Sequence, residues 1–122
     1  MKRHNFKKLH IWQESMDLVS LNYQFTSEFP SFEKFGIANQ MNRSSVSIPS
    51  NIAEGTSKRT VKHFTRFLED SLGSAFEWET QLIICHNLGY VSGEKFKDAE
   101  QRIKKLQGKI SNFIDKVCTS ES

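Results

Sequence analysis

The amino-acid sequence predicts an all-α protein, an antiparallel up-down four-helix bundle whose second helix is kinked at Pro49. Three observations carry that expectation. Apolar residues recur every three or four positions in four separate stretches, the links between them are short, and no window alternates as a half-buried strand would. Seams of this kind pack antiparallel neighbours at shallow angles. The expected helices are 8–27, 33–54, 60–87 and 92–118, in one domain over residues 1–122.

In the first helix Leu9, Trp12, Met16, Val19 and Tyr23 form the leading stripe, and Ile11, Leu18 and Phe25 form a second beside it. Phe29-Pro30-Ser31 breaks this helix, because proline disfavours helical geometry in the residue before it. The second helix is expected to start near Glu33 and to bury Ile37, Met41, Ser45, Ile48 and Ile52. Gly55 is placed to end it as a left-handed C′ residue. Pro49 cannot donate to the Ser45 carbonyl, at a cost of about 3 kcal/mol in a helix interior. The chain either stops and restarts at Ser47 or bends as one helix; the unbroken apolar spacing favours the bend. Ser44, Ser45, Ser47 and Ser50 offer hydroxyls to freed carbonyls and let a neighbour approach closely.

The third helix follows a Thr60 or Ser57 cap. It has the clearest seam, Phe64, Leu68, Ser71, Ala75, Trp78, Leu82 and Cys85, flanked by Leu72, Phe76 and Ile83, and ends before Gly89. Ser92 caps the fourth, whose seam is Phe96, Ala99, Ile103, Leu106, Ile110, Phe113 and Val117, with Arg102, Lys105 and Lys109 off it.

A length of 122 residues suffices to bury roughly two-thirds of the unfolded chain's surface. Hydrophobic content of 37% with 25% charge puts the chain among soluble globular proteins. No apolar run reaches the length of a membrane span, and no continuous apolar stretch follows the basic start, so a cytoplasmic location is expected. Cys85 and Cys118 form no CxxC or metal pattern.

Catalytic chemistry finds little support. "EGTSKRT" lacks the spacing of a phosphate loop and follows a helix instead of a strand. No Glu-x-x-His pair suggests a di-iron centre, and His4, His10, His63 and His86 lack metal-ligand spacing. Cys85 and His86, adjacent on a helix, point about 100° apart, wrong for a nucleophile and its base. The expectation is no enzyme, no cofactor and no metal.

The charge of +3 is mild but uneven. Lys2, Arg3, Lys7 and Lys8 precede the first acid, and Lys58, Arg59, Lys62 and Arg66 form a second cluster. No Lys or Arg occurs from Phe67 to Glu94. Cations at the start of the third helix oppose its macrodipole unless an anion binds. These residues are either solvated charges or a nucleic-acid surface, RNA or DNA. A polar row, Gln40, Arg43, Ser47, Asn51 and Glu54, is either a solvated face or a seam within the bundle or against another subunit.

"QMNRSSVSIPSNIAEGTSKRT", "FLEDSLGSAFEWETQL" and "LGYVS" resemble the four-helix-bundle proteins encoded within intervening sequences of bacterial 23S rRNA genes. These are related to the accessory variability determinant proteins of diversity-generating retroelements. The likeness runs from about Phe6 to Val117. It implies a barrel-like homopentamer with a basic surface and no established enzymatic activity. Some relatives are thought to bind a reverse transcriptase and nucleic acid. By position, the family signature falls on Arg43, Ser47, Pro49, Asn51, Glu54 and Gly55, and on Gly73, Glu79, Thr80 and Gln81. The family often has two basic residues before its small-residue run, where this chain has Asn42 then Arg43. Two functions follow as expectations. One is a homo-oligomer that binds nucleic acid, RNA before DNA. The other is a protein-interaction scaffold with incidental basic charge. Neither involves a membrane.

Overall fold

The computed structural model describes residues 3–120. A 3-10 turn at Phe6–Lys8 leads into α1 (His10–Thr26), and a second at Ser31–Glu33 precedes α2 (Ile37–Thr56). α3 (Val61–Asn87) and α4 (Gly93–Thr119) complete an antiparallel four-helix bundle. Each helix packs on its neighbours in sequence, and α4 closes back on α1. The α2–α3 pair is the most intimate and the α1–α4 seam the most open.

The caps follow the local chemistry. Thr60 Oγ1 accepts from the His63 backbone N–H at 3.2 Å, and Ser92 Oγ accepts from Lys95 N–H at 3.5 Å. α3 ends where Gly89 adopts a φ of +82°, a conformation that only glycine adopts without strain. Two boundaries differ from expectation. α2 begins at Ile37 because residues 31–33 form a separate 3-10 turn, held by a hydrogen bond of 2.9 Å from Tyr90 Oη to Glu33. Gly55 lies inside α2 and is not a left-handed cap. The helix end is satisfied by hydroxyls, Thr56 Oγ1 donating to the Ala53 carbonyl and Ser57 Oγ to the Glu54 carbonyl, each at 2.6 Å.

Gly55 is required by packing. A β-carbon there would sit 3.0 Å from both Phe64 Cδ1 and Phe67 Cβ. Phe64 is fully buried and the Phe67 β-carbon is fixed to its backbone, so neither can yield cheaply. Gly73 is the opposite case, with nothing within 4 Å of the position a β-carbon would take. Packing within the chain gives no reason for that glycine. Gly55→Ala is therefore expected to lower stability by about 1 kcal/mol despite alanine's better helix propensity. Gly73→Ala is expected to raise it by about 0.5–1 kcal/mol. Urea denaturation in dilute solution checks both; a stabilised Gly55→Ala would contradict the close approach.

α2 runs unbroken through a buried Pro49, so the stop-and-restart alternative falls away. Its slender surface is used by α3. Ser71 Oγ donates to the Ile48 carbonyl at 2.8 Å, so the two helices touch through a hydroxyl and backbone just before the proline. Ser44 and Ser45 donate to the carbonyls of Met41 and Asn42.

The seams of α2, α3 and α4 are buried as the spacing indicates, apart from Ile37, Phe96 and Phe113, which are half-buried against the core. α1 differs. Its core face is Ile11, Ser15, Leu18, Asn22 and Phe25, while Met16 and Tyr23 of the leading apolar stripe are 42% and 46% exposed. The core seam is thus the second stripe, Ile11, Leu18 and Phe25, completed by two polar residues, and not the leading one. Asn22 is fully buried and joins three helices. Its Oδ1 accepts from Trp78 Nε1 at 2.9 Å, and its Nδ2 donates to Asn42 Oδ1 at 2.8 Å. Thr26 Oγ1 donates to the same Asn42 oxygen at 2.9 Å. Among the described residues, no buried side-chain nitrogen or oxygen lacks a partner.

Candidate nucleic-acid interface

In an up-down bundle the start of α1, the end of α2, the start of α3 and the end of α4 share one end. Side-chain contacts tie the N-terminal segment to that end. Arg3 Nε donates to the Ser57 carbonyl at 3.1 Å, although the two residues are 54 apart in sequence. The His4 ring lies 5.5 Å from Phe64 on α3 and 5.6 Å from Phe113 on α4. The two basic clusters of the sequence thus converge on one end of the bundle.

Arg3, Lys7, Lys8, Arg59, Lys62 and Arg66 are exposed, and Lys58 is half-buried with its ammonium 4.8 Å from the Phe67 ring centre. Lys2 lies outside the described residues. Among the described residues the ion pairs are Lys95–Glu28, Lys104–Glu100 and Lys109–Glu14, so none of these seven cations is neutralised by one. Neither α1 nor α3, whose N-termini lie here, carries an acid in its first turn. The dipoles of α1 and α3 favour anions at this end, while those of α2 and α4, which finish here, offset them, so the positive potential rests on the side chains. Lys8 also lines, with Lys116 of α4, the near end of the groove between α1 and α4, a neighbourhood the separate clusters did not reveal. Its signal is the spacing of Lys105, Lys109 and Lys116 along one helix.

The family-signature polar residues do not form one seam. Gln40, Arg43, Glu54 and Thr80 are exposed. Asn51 Nδ2 turns back to the Ser47 carbonyl at 2.9 Å. Gln81 is buried and accepts from Ser44 Oγ at 2.6 Å, tying α3 to α2. Glu79 accepts from Gln107 Nε2 at 2.9 Å, tying α3 to α4. Of these residues, Gln81 and Glu79 serve contacts between helices. Asn42 has a similar reason: as an acceptor for two donors it does what a basic side chain could not.

Cys85 is buried against Met41, Sγ to Sδ 3.5 Å, and burial followed by the Glu33 charge pushes its pKa up to about 11. That thiol is a core group. His86 directs Nδ1 to the Val91 carbonyl at 3.0 Å and stacks on Phe96 at 4.2 Å, so it closes the α3–α4 corner. Among the described residues no three His, Cys, Asp or Glu side chains are grouped to hold a metal. No described helix is long and apolar enough to cross a membrane.

The fold and this end define a small helical bundle with one basic pole. The family model for 23S rRNA-intervening sequence proteins matches residues 7–112, and the chain belongs to that family. A crystal structure of a protein of unknown function from the S23 ribosomal protein family of Bacteroides thetaiotaomicron shares the fold, with a TM-score of 0.77 at 20% identity. The match covers 85% of this chain and 97% of that one. None of the curated proteins matches this chain.

Proposed function

We propose that this chain is a non-enzymatic, self-associating bundle whose basic end binds nucleic acid, RNA in preference to DNA. The observation that carries the reading is the convergence on one end of seven cations that enter no ion pair among the described residues, through Arg3 on Ser57 and His4 on Phe64 and Phe113. Phosphates would satisfy charges that no carboxylate neutralises among the described residues. The family's description names 23S rRNA, which favours RNA as the polyanion. Self-association, as a pentamer on the family resemblance, would multiply this surface and cover exposed Met16, Tyr23, Phe76 and Ile83.

Fluorescence anisotropy of a labelled single-stranded RNA tests the reading. Changing Lys58, Arg59, Lys62 and Arg66 to Glu is expected to lower affinity by about 100-fold at moderate salt, with helicity unchanged. Unchanged affinity would remove the assigned surface. A scaffold role is favoured by one feature at the opposite end. Phe32 and Phe35 are 77% and 86% exposed on a turn pinned by the Glu33–Tyr90 hydrogen bond. Protein capture lost in a Phe32→Ser/Phe35→Ser chain, with no RNA retention by the parent, would put that role first.

A further inference from the structure

We propose that the acidic outer face of α3 docks into the basic groove between α1 and α4 of a second copy of this chain. The proposal rests on the self-association proposed above and names the two surfaces that meet. Gly73 first draws attention to α3. It is exposed in mid-helix with open space around it, at a position where glycine costs helix stability and packing within the chain offers no return. Beside it stands Phe76, 53% exposed, and one turn further Ile83. Around them Glu69, Asp70 and Glu77 are exposed and enter no ion pair among the described residues; Lys62 and Arg66 border Glu69 and Asp70 on the N-terminal side, and from Phe67 to Glu94 the sequence has no Lys or Arg. A helix face that is apolar, slim at its centre and flanked by acids suits close approach to a cationic surface.

The complement lies on the same chain. The open α1–α4 seam holds two successive grooves of about 250 and 320 Å³ that share Lys109. Their walls include Leu9, Leu18, Leu106 and Phe113, and their rims carry Arg102, Lys105 and Lys116, with Asp17 and the Lys109-paired Glu14 on the α1 side, so the cations prevail. Lys109 is already paired with Glu14, but those three rim cations have no ion-pair partner among the described residues. The lengths agree as well. From Arg102 to Lys116, and from Glu69 to Ile83, each span is about 21 Å at the helical rise. α3 runs beside α2 and α4 and meets α1 only across the core, through Trp78 and Asn22, so the outer α3 face and the groove are different surfaces. Their contact is heterologous, and it repeats from copy to copy until a ring closes.

A charge exchange tests the pairing by sedimentation velocity on the full chain. One variant carries Glu69→Lys, Asp70→Lys and Glu77→Lys; the other carries Lys105→Glu and Lys116→Glu. Each alone is expected to sediment as a monomer with native helicity, whereas the parent chain associates. Mixed in equal amounts they are expected to associate again, because each reversed face then meets a complementary groove. Gly73→Gln is a second probe, expected to stabilise the dilute monomer while weakening association at least tenfold. Variants that still associate, or a mixture that stays monomeric, would overturn the pairing while leaving self-association intact. A parent chain that is monomeric at high concentration and low salt would overturn both.

Discussion

Asn22→Ala is expected to lower the melting temperature by roughly 10–15 °C, an effect of about 3–4 kcal/mol in a chain of this size. Three costs combine. The substitution leaves a cavity at a fully buried site, strips Trp78 Nε1–H of its acceptor, and removes the Asn22 donor to Asn42. Asn42 keeps the Thr26 hydroxyl, so the loss falls chiefly on the indole N–H, which has no water to turn to. A cycle isolates that bond. Asn22→Leu fills the volume but offers no acceptor, and should cost about 1–2 kcal/mol less in a Trp78→Phe background than in the parent. Thermal unfolding of the four chains decides it. Additive losses would mean that the bond contributes little and Asn22 acts only by filling space.

The second large effect concerns the N-terminal segment. Changing Arg3, Lys7 and Lys8 to Glu is expected to weaken RNA binding by about 100-fold, comparable to reversing the α2–α3 cluster. The reason is geometric. Arg3 is held to the Ser57 carbonyl and His4 lies against Phe64 and Phe113, so both clusters lie at one end of the bundle, within reach of a single polyanion. An unaffected triple variant would confine binding to residues 58–66.

What the sequence disclosed depends on how local each cause is. The seams of α3 and α4 and the Thr60 and Ser92 caps are set by neighbours a turn away and are plain in the spacing. In α1 the spacing marked Ile11, Leu18 and Phe25 only as a second stripe, because Ser15 and Asn22 complete that face and the partner that makes Asn22 acceptable, Trp78, is 56 residues distant. Gly55 has the position of a cap glycine, but its reason is contact with Phe64 and Phe67 beyond the connector. The candidate cations were all visible as charges. Their convergence was not, since it follows from the N-terminal segment folding onto the α2–α3 connector.

The most direct measurement is the salt dependence of RNA affinity for the parent chain. If seven cations each meet a phosphate of single-stranded RNA, log affinity should fall against log salt with a slope of about −5, and of about −2 once the four at 58–66 are removed. Between roughly 50 and 200 mM salt the parent would then lose about a thousandfold in affinity. A slope near zero, or one that the substitutions leave unchanged, would contradict the basic end as a nucleic-acid surface.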